Sequence, residues 1–431
     1  MKKNFTKIIS LFACISIFCT ACASADVKTG DDSDTVIPSE SVSDTESDST
    51  SDVTDDKTRT TDTMETLPPE DEGDGIISVI AAGDNLAHEA VFTYAKTLAA
   101  GKDGYDKKYY FDSMYDDIRD VVKSSDLAII NQESQIRTNE TASGYPRFAS
   151  PVELGEAVMN AGFNVIVSAN NHMLDKNDDG IVDTVNYWKD KPVVHIGADL
   201  SENDGMNIAV FEQDGFKIAL LAYTDIINGA PSSVDKSEYA KYTYYNEKTA
   251  EEQIKAAKEI ADFVIVSMHW GKEDKFDVNS TQKSIAKDLA KWGADAIIGH
   301  HPHVVQTIEW IETENGKTLC VYSLGNFLST MLYARNMVGM MVSFDIVTNN
   351  GKPYIENVKA IPTVTHYSPA PNGKGLEHRG DVAVYLMENY TEKMAKSHGC
   401  NENESKTVTL DKLKSYITDN VPTEYLPEFL K

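Results

Sequence analysis

Cysteine is scarce in this chain of 431 residues: there are five, and three of them (Cys14, Cys19 and Cys22) fall within the first 22 positions. The remaining two, Cys320 and Cys400, cannot build a disulfide scaffold, and Cys320 sits in the strand-like run Thr318–Tyr322, where a buried thiol is the plainer reading. Positive charge is also short, since 40 Lys and Arg against 68 Asp and Glu leave a formal net charge of −28. A surface of that sign disfavours nucleic acid as a partner and gives no broad attraction to any polyanion. Beyond the amino-terminal segment no apolar run is long enough to span a bilayer, and no internal repeat is visible. Histidine is rare as well, with ten residues. Its placement therefore carries information.

The start of the chain reads as a targeting segment. Lys2, Lys3 and Lys7 are followed by an apolar core from Ile8 to Phe18, the layout of a secretory signal over residues 1–21. Small residues directly before Cys22 resemble a bacterial lipobox. The expectation is a lipidated Cys22 that holds the protein at the extracytoplasmic face of the bacterial membrane. Cys19, where Leu is usual, leaves ordinary cleavage and secretion as the alternative. Residues 22–75 are Ser, Thr, Asp and Glu with almost no aromatic or branched apolar side chains, and they carry about half of the net negative charge. Such a segment cannot bury enough apolar surface to offset its ordering entropy, so it is expected to be a disordered tether. The rest suffices for one large core, expected at 76–345, with a hairpin and helical extension over 346–431.

Within that core, short apolar runs end repeatedly in polar tips. Ile76–Ala82 delivers Asp84, Leu127–Ile130 leads to Asn131 and Glu133, and Phe163–Ser168 runs into Asn171 and His172. Phe263–Met268 ends in His269, and Asp295–Ile298 opens into Gly299-His300-His301-Pro302-His303. That last stretch puts three of the ten histidines into four positions. His301 and His303 stand two apart, so an extended backbone would place both on one face, with His300 turned away. Five apolar runs, each followed by a metal-competent side chain, are the pattern of a mixed oxygen and nitrogen metal site at one edge of a sheet. Helices are expected from Ser150, with Ser150 as cap of a capping box, over 179–189, around 250–261, and after Asn279, whose partner in a second capping box is Gln282. Hairpins are expected around Glu314–Lys317 and Asn349–Gly351. The order of elements implies an α/β fold with two packed sheets.

Taken together, Gly83-Asp84, Asn131–Glu133, Ala169–His172, His269-Trp270-Gly271 with Glu273, Gly299–Val304 and Ser323–Phe327 resemble the ordered motifs of the CapA type of bacterial poly-γ-glutamate capsule synthesis proteins. That family is similar to the calcineurin-like metallophosphoesterases. The resemblance covers roughly residues 76–345 and implies a two-sheet αββα sandwich with mixed strands. It implies a divalent metal cofactor, two ions of the Mn, Fe or Zn kind. Asp84 would hold the first ion, Glu133 would bridge, Asn171 and His269 would hold the second, and His301 and His303 would serve one each. His172 would be the catalytic residue facing the leaving group. Two departures stand out: Leu86 occupies a position where the phosphoesterases have His, with His88 one helical turn beyond Asp84, and Glu133 replaces Asp. Arg147 and Lys272 are the basic residues nearest the motifs and are the candidate contacts to an anionic substrate. Ser323–Phe327 reads first as a supporting turn. The implied role is synthesis, export or anchoring of an anionic surface polymer, with its synthesis machinery as partner. The alternatives are a non-catalytic scaffold subunit of a capsule assembly complex and a surface metallophosphoesterase.

Overall fold

The computed structural model describes residues 75–201, 208–229, 232–314, 316–371 and 374–431. The expected signal segment, the lipidation candidate Cys22 and the acidic tether lie outside the described residues. In chain order the strands are β1 (Ile76–Asn85), β2 (Leu127–Gln132), β3 (Ile136–Arg137), β4 (Ser150–Pro151), β5 (Val165–Val167), β6 (Val194–Ile196), β7 (Ala209–Gln213) and β8 (Phe216–Thr224). There follow β9 (Phe263–His269), β10 (Ala296–His300), β11 (Ile308–Thr313), β12 (Gly316–Val321), β13 (Asn326–Leu328), β14 (Val338–Asn349), β15 (Lys352–Ser368) and β16 (Gly380–Leu386).

Two large sheets face each other. The first has the order β16-β15-β14-β1-β2-β5-β6, with β13 joined to the end of β1, and the second has the order β11-β12-β10-β9-β8-β7. The second sheet shows its sandwich position residue by residue. Ile218, Leu220, Phe263, Ile265, Ile298, Leu319 and Val321 belong to the core shared with the first sheet. Their neighbours Ala219, Leu221, Val264, Val266, Ile297 and Cys320 pack on the other side against the helices Glu247–Ile260 and Ser280–Trp292. This is period-two alternation with both faces apolar, as expected of strands buried on both sides. The outer face of the first sheet is covered by the helices Glu89–Ala100 and Val152–Ala161, whose Val91, Ala95, Leu154 and Val158 join the same core. The architecture is the expected αββα sandwich with mixed strands.

Several local expectations shift. The Asn279 capping box is present, with Asn279 Oδ1 accepting from Gln282 N at 3.0 Å and Gln282 Oε1 from Asn279 N at 3.1 Å. Ser150 caps nothing. It lies in β4, its hydroxyl is 2.6 Å from that of Ser134, and the helix starts at Val152 after Pro151 without a side-chain cap. The expected division at 345/346 falls inside β14, which pairs antiparallel with β1, and β15 and β16 extend the same sheet. Cys320 and Cys400 are both buried free thiols. Among the described residues no helix is long and apolar enough to cross a membrane.

What positions the site is strand direction. β1, β2, β5 and β6 run parallel in the first sheet, and β8, β9, β10 and β12 run parallel in the second. The carboxyl ends of each set therefore lie on one edge, where open α/β sheets gather ligand-binding loops.

Candidate metal centre

Register brings the tips together. Asp84 of β1 lies opposite Asn131 of β2 and Asn326 of β13, and His300 of β10 lies opposite His269 of β9. The close approach needs glycine. A Cβ on Gly83 would stand 1.9 Å from the Gly325 carbonyl oxygen, and one on Gly299 would stand 2.0 Å from that of Tyr322. Without a side chain at either position, β1 and β10 reach the loops that carry the polar residues.

The histidine pair converges for a different reason from the one its spacing suggests. β10 ends at His300, and His301 and His303 both adopt positive φ, at 95° and 56°. The segment is a left-handed turn and is not extended. Positive φ in non-glycine residues is costly and is concentrated at functional positions. The same turn leaves His300 facing inward, with Nδ1 3.4 Å from Asp84 Oδ1, a long contact.

Seven residues expected from sequence thus meet at one place, all buried: Asp84, Glu133, Asn171, His172, His269, His301 and His303. Two metal-competent groups share a member. Glu133, His269 and His301 form one, and Asp84, Glu133 and His303 form the other. Glu133 Oε1 is 3.8 Å from His269 Nε2 and 3.7 Å from His303 Nε2, both beyond hydrogen-bonding distance. His269 Nε2 is 3.0 Å from Asn171 Oδ1 and 3.1 Å from His301 Nδ1, hydrogen-bond contacts that gather three ligand-competent atoms at one place. On the other side, Asp84 accepts from Asn131 at 2.8 Å and contacts His303 Nδ1 at 3.1 Å, while Asn326 Oδ1 is 2.9 Å from the same nitrogen. These two acceptors make Nδ1 the protonated nitrogen of His303 and leave Nε2 directed at Glu133.

The donor set fits a cation. Both oxygens of Glu133 are buried and, among the described residues, without a hydrogen-bond partner, in a site where an unpaired charge is expensive. Burial, then the charge of Asp84, push the Glu133 carboxyl well above its ordinary range. Burial acts the same way on Asp84, but the imidazoles of His300 and His303 beside it outweigh burial and hold that carboxyl well below. Burial lowers His301 to about 3 and also holds His269 well below an ordinary histidine. For His303 burial is outweighed by Glu133 and Asp84, which raise it to about 10. Neutral imidazoles on one flank, and a proton drawn in by carboxylates on the other, mark a volume of excess negative charge lined with lone pairs. Oxygen and imidazole donors of this kind suit borderline divalent ions.

Other expected residues lie around this centre. His172 Nδ1 is 2.8 Å from Asp175 Oδ2, its ring packs edge-on against Phe148, and Asn228 Nδ2 is 3.4 Å from Nε2. Asp175 therefore fixes tautomer and orientation and leaves Nε2 for chemistry. Arg147 is exposed, and its Nε donates to the carbonyl of Asp175 at 2.5 Å, one residue removed from the His172 ring. Lys272 is exposed, and no hydrogen bond or ion pair joins its amine to the cluster among the described residues. Leu86 is an apolar, buried neighbour of the site. His88 does not replace the missing ligand, since its Nδ1 lies 3.2 Å from the Leu86 carbonyl and it belongs to no metal-competent group among the described residues. Asn326, expected first in a supporting turn and second as a substrate contact, orients His303. Asp175 and Asn228 carried no sequence signal beyond the three-residue step from His172 to Asp175.

Fold and site define a two-sheet α/β protein with a buried carboxylate and histidine centre suited to divalent metal. A family model described as bacterial capsule synthesis protein PGA_cap matches residues 78–331, more than half of the chain, and the chain belongs to that family. The capsule biosynthesis protein CapA of Bacillus anthracis is 28% identical over 279 residues, 63% of this chain and 66% of that relative. The PGA biosynthesis protein CapA of Bacillus subtilis (strain 168) is 29% identical over 242 residues, 55% of this chain and 62% of the relative. The matches thus span just under two thirds of those relatives' own lengths. Among solved structures, the calcineurin-like phosphoesterase YfkN from Bacillus subtilis is similar at a TM-score of 0.37 and 14% identity, covering 67% of this chain and 91% of that one. The protein TT1561 of Thermus thermophilus is similar at a TM-score of 0.32 and 10% identity, over 66% and 99%. Both likenesses are distant.

Proposed function

We propose that this chain serves synthesis, export or anchoring of a poly-γ-glutamate-type anionic surface polymer, through a hydrolase- or transferase-like centre that uses two divalent ions. It would act at the extracytoplasmic face of the bacterial membrane, anchored through Cys22, with the polymer or its synthesis machinery as partner. The observation that carries the metal reading is Glu133, a fully buried carboxylate whose two oxygens lack partners among the described residues and which two of the three metal-competent groups there share. Asn171, His269 and His301 would hold one ion, Asp84 and His303 the other, with Glu133 between them. When bound, such ions make hydroxide available near neutral pH and polarise the electrophile's oxygen. His172, its Nδ1–H held by Asp175, would as the imidazolium deliver the Nε2 proton to the leaving group and be left as neutral imidazole. The related CapA proteins carry capsule or PGA biosynthesis in their names, which supports the choice of polymer.

Leu86 favours a second reading, a scaffold subunit that keeps the fold without the chemistry. A buried apolar side chain at that position leaves the Asp84, Glu133 and His303 group one nitrogen poorer. The test is a turnover screen of the metal-loaded full chain on γ-linked oligoglutamates and on phosphoesters, with His172→Ala beside it. Turnover on a γ-glutamyl chain that falls by roughly 10²- to 10⁴-fold in His172→Ala, with bound metal unchanged, is the expected result. Bound metal with no turnover on either class would select the scaffold, and turnover on phosphoesters alone would select a surface phosphoesterase.

A further inference from the structure

A groove of about 460 Å³ opens beside the metal centre, lined by His88, Tyr145, Glu273, Leu332, Tyr333 and Arg379 among others. Glu273 ties it to the centre, because it also forms a metal-competent group with His301 and His303. Arg379 is the unusual member. It is only 3% exposed, yet among the described residues Nε and Nη2 have no hydrogen-bond partner. The other end of its guanidinium is fixed, with Nη1 donating to the Thr330 carbonyl at 2.8 Å and the plane lying 4.4 Å from the centre of the Tyr367 ring. Nε and Nη2 form the edge that grips an oxyanion with two parallel hydrogen bonds. Arg335 uses that edge here, holding the Asp274 carboxylate at 3.0 and 3.1 Å. In Arg379 the same edge is buried and has no partner among the described residues.

A buried guanidinium with one empty edge carries an uncompensated desolvation cost unless a ligand supplies the charge. The surroundings narrow what that ligand is. Glu89, Glu273 and Glu377 also line the groove, so it is no general trap for anions. Apolar side chains, Leu332 and Leu376 among them, contact the remainder of whatever enters. We propose that Arg379 is a substrate-binding residue, holding one carboxylate or phosphoryl oxyanion of an extended substrate whose reacting bond lies at the metal centre. This assignment rests on the proposed metal-dependent function for the position of the reacting bond, though not for the anion site itself. It moves the anion contact away from Arg147 and Lys272, to a residue more than one hundred positions beyond either in the chain.

The test is equilibrium binding to the full chain of two probes, a γ-linked triglutamate and inorganic phosphate, with metal content read on the same samples. Arg379→Met is expected to weaken one or both probes by about tenfold or more, and Arg379→Lys by less, with metal content unchanged. Loss for triglutamate alone assigns a carboxylate, and loss for phosphate alone assigns a phosphoryl group. Because Arg379 is buried and its removal can unfold the chain, Leu376→Glu is the second variant. Leu376 is 51% exposed on the groove wall, so the change leaves folding intact and sets a negative charge beside the bound oxyanion. It is expected to weaken the same probe several-fold, less so at high salt. Unchanged affinity for both probes in folded Arg379→Met, or in Leu376→Glu, would overturn the assignment while leaving the metal reading intact. Wild-type chain without metal but with Arg379-dependent anion binding would do the reverse.

Discussion

The molecule buries two histidine clusters, and they differ in what their ring nitrogens meet. At the sheet edge, His269 and His301 lie with ring centres 4.8 Å apart, and elsewhere in the fold His366 and His398 lie 5.0 Å apart. Burial depresses all four, with His366 held at about 4 and His398 at about 3. Yet His366 Nδ1 meets the Tyr390 hydroxyl at 2.6 Å, His398 Nε2 meets the Thr365 carbonyl at 2.8 Å, and His398 Nδ1 accepts from Cys400 N at 3.0 Å. Among the described residues, no carboxylate with empty oxygens is buried beside them. His269 and His301 instead turn nitrogens toward each other, Asn171 and the unpartnered Glu133. Burial and histidine content are alike, so what separates the ligand set from core packing is the buried carboxylate beside it, Glu133, whose two oxygens have no partner among the described residues.

That contrast breaks first under substitution. His301→Ala is expected to lower metal affinity by at least about 100-fold while leaving thermal stability near wild type, since removing a ligand costs at least as much as removing a group that supports one. His398→Ala should do the opposite, keeping metal and losing roughly 2–4 kcal/mol of stability through a cavity and two stranded partners. Chemical denaturation and metal content on both variants check the pair, and equal metal loss in both would erase the distinction.

A smaller effect comes from pH. His366 and His398 have folded pKa values below the ordinary histidine value, about 6.5, so below that pH the unfolded chain binds protons that the native state refuses. Their contribution to stability is full above about pH 6.5 and falls as pH drops toward about 3–4. Each group should contribute about 2 kcal/mol of loss between about pH 7 and pH 5. His366→Phe, measured by urea unfolding of the metal-free chain at those two pH values, should recover about that much of the difference. An unchanged difference would mean that His366 is charged in the fold. The smallest effect is a control remote from both clusters. Asn246, which caps the helix Glu247–Ile260 by accepting from Thr249 N at 3.1 Å, should cost about 1 kcal/mol as Asn246→Ala, with neither metal content nor acid sensitivity altered.

The polar tips of β1, β2, β9 and β10 were legible because apolar runs mark strands and their ends share one sheet edge. Less legible was whatever depends on the third dimension. Nothing in Gly-His-His-Pro-His announces positive φ at His301 and His303, so their convergence was expected for the wrong backbone. Ser150 had the local chemistry of a cap, but tertiary packing gave its hydroxyl to Ser134. The role of Asn326 needed the parallel pairing of β13 with β1, which brings together residues more than two hundred positions apart. Arg379 had no neighbouring motif, and only the groove makes its empty edge visible. Leu86 was readable as a departure, and its burial confirms an apolar side chain at that place.

The most direct measurement is elemental mass spectrometry of the full chain, purified without a histidine tag and reconstituted in turn with Mn, Fe and Zn, beside His301→Ala and His398→Ala. Two equivalents in wild type and in His398→Ala, with loss in His301→Ala, is the expected result. One equivalent would identify the Leu86 side as the half that does not load. No bound metal, or the same loss in both variants, would contradict a metal centre at this edge.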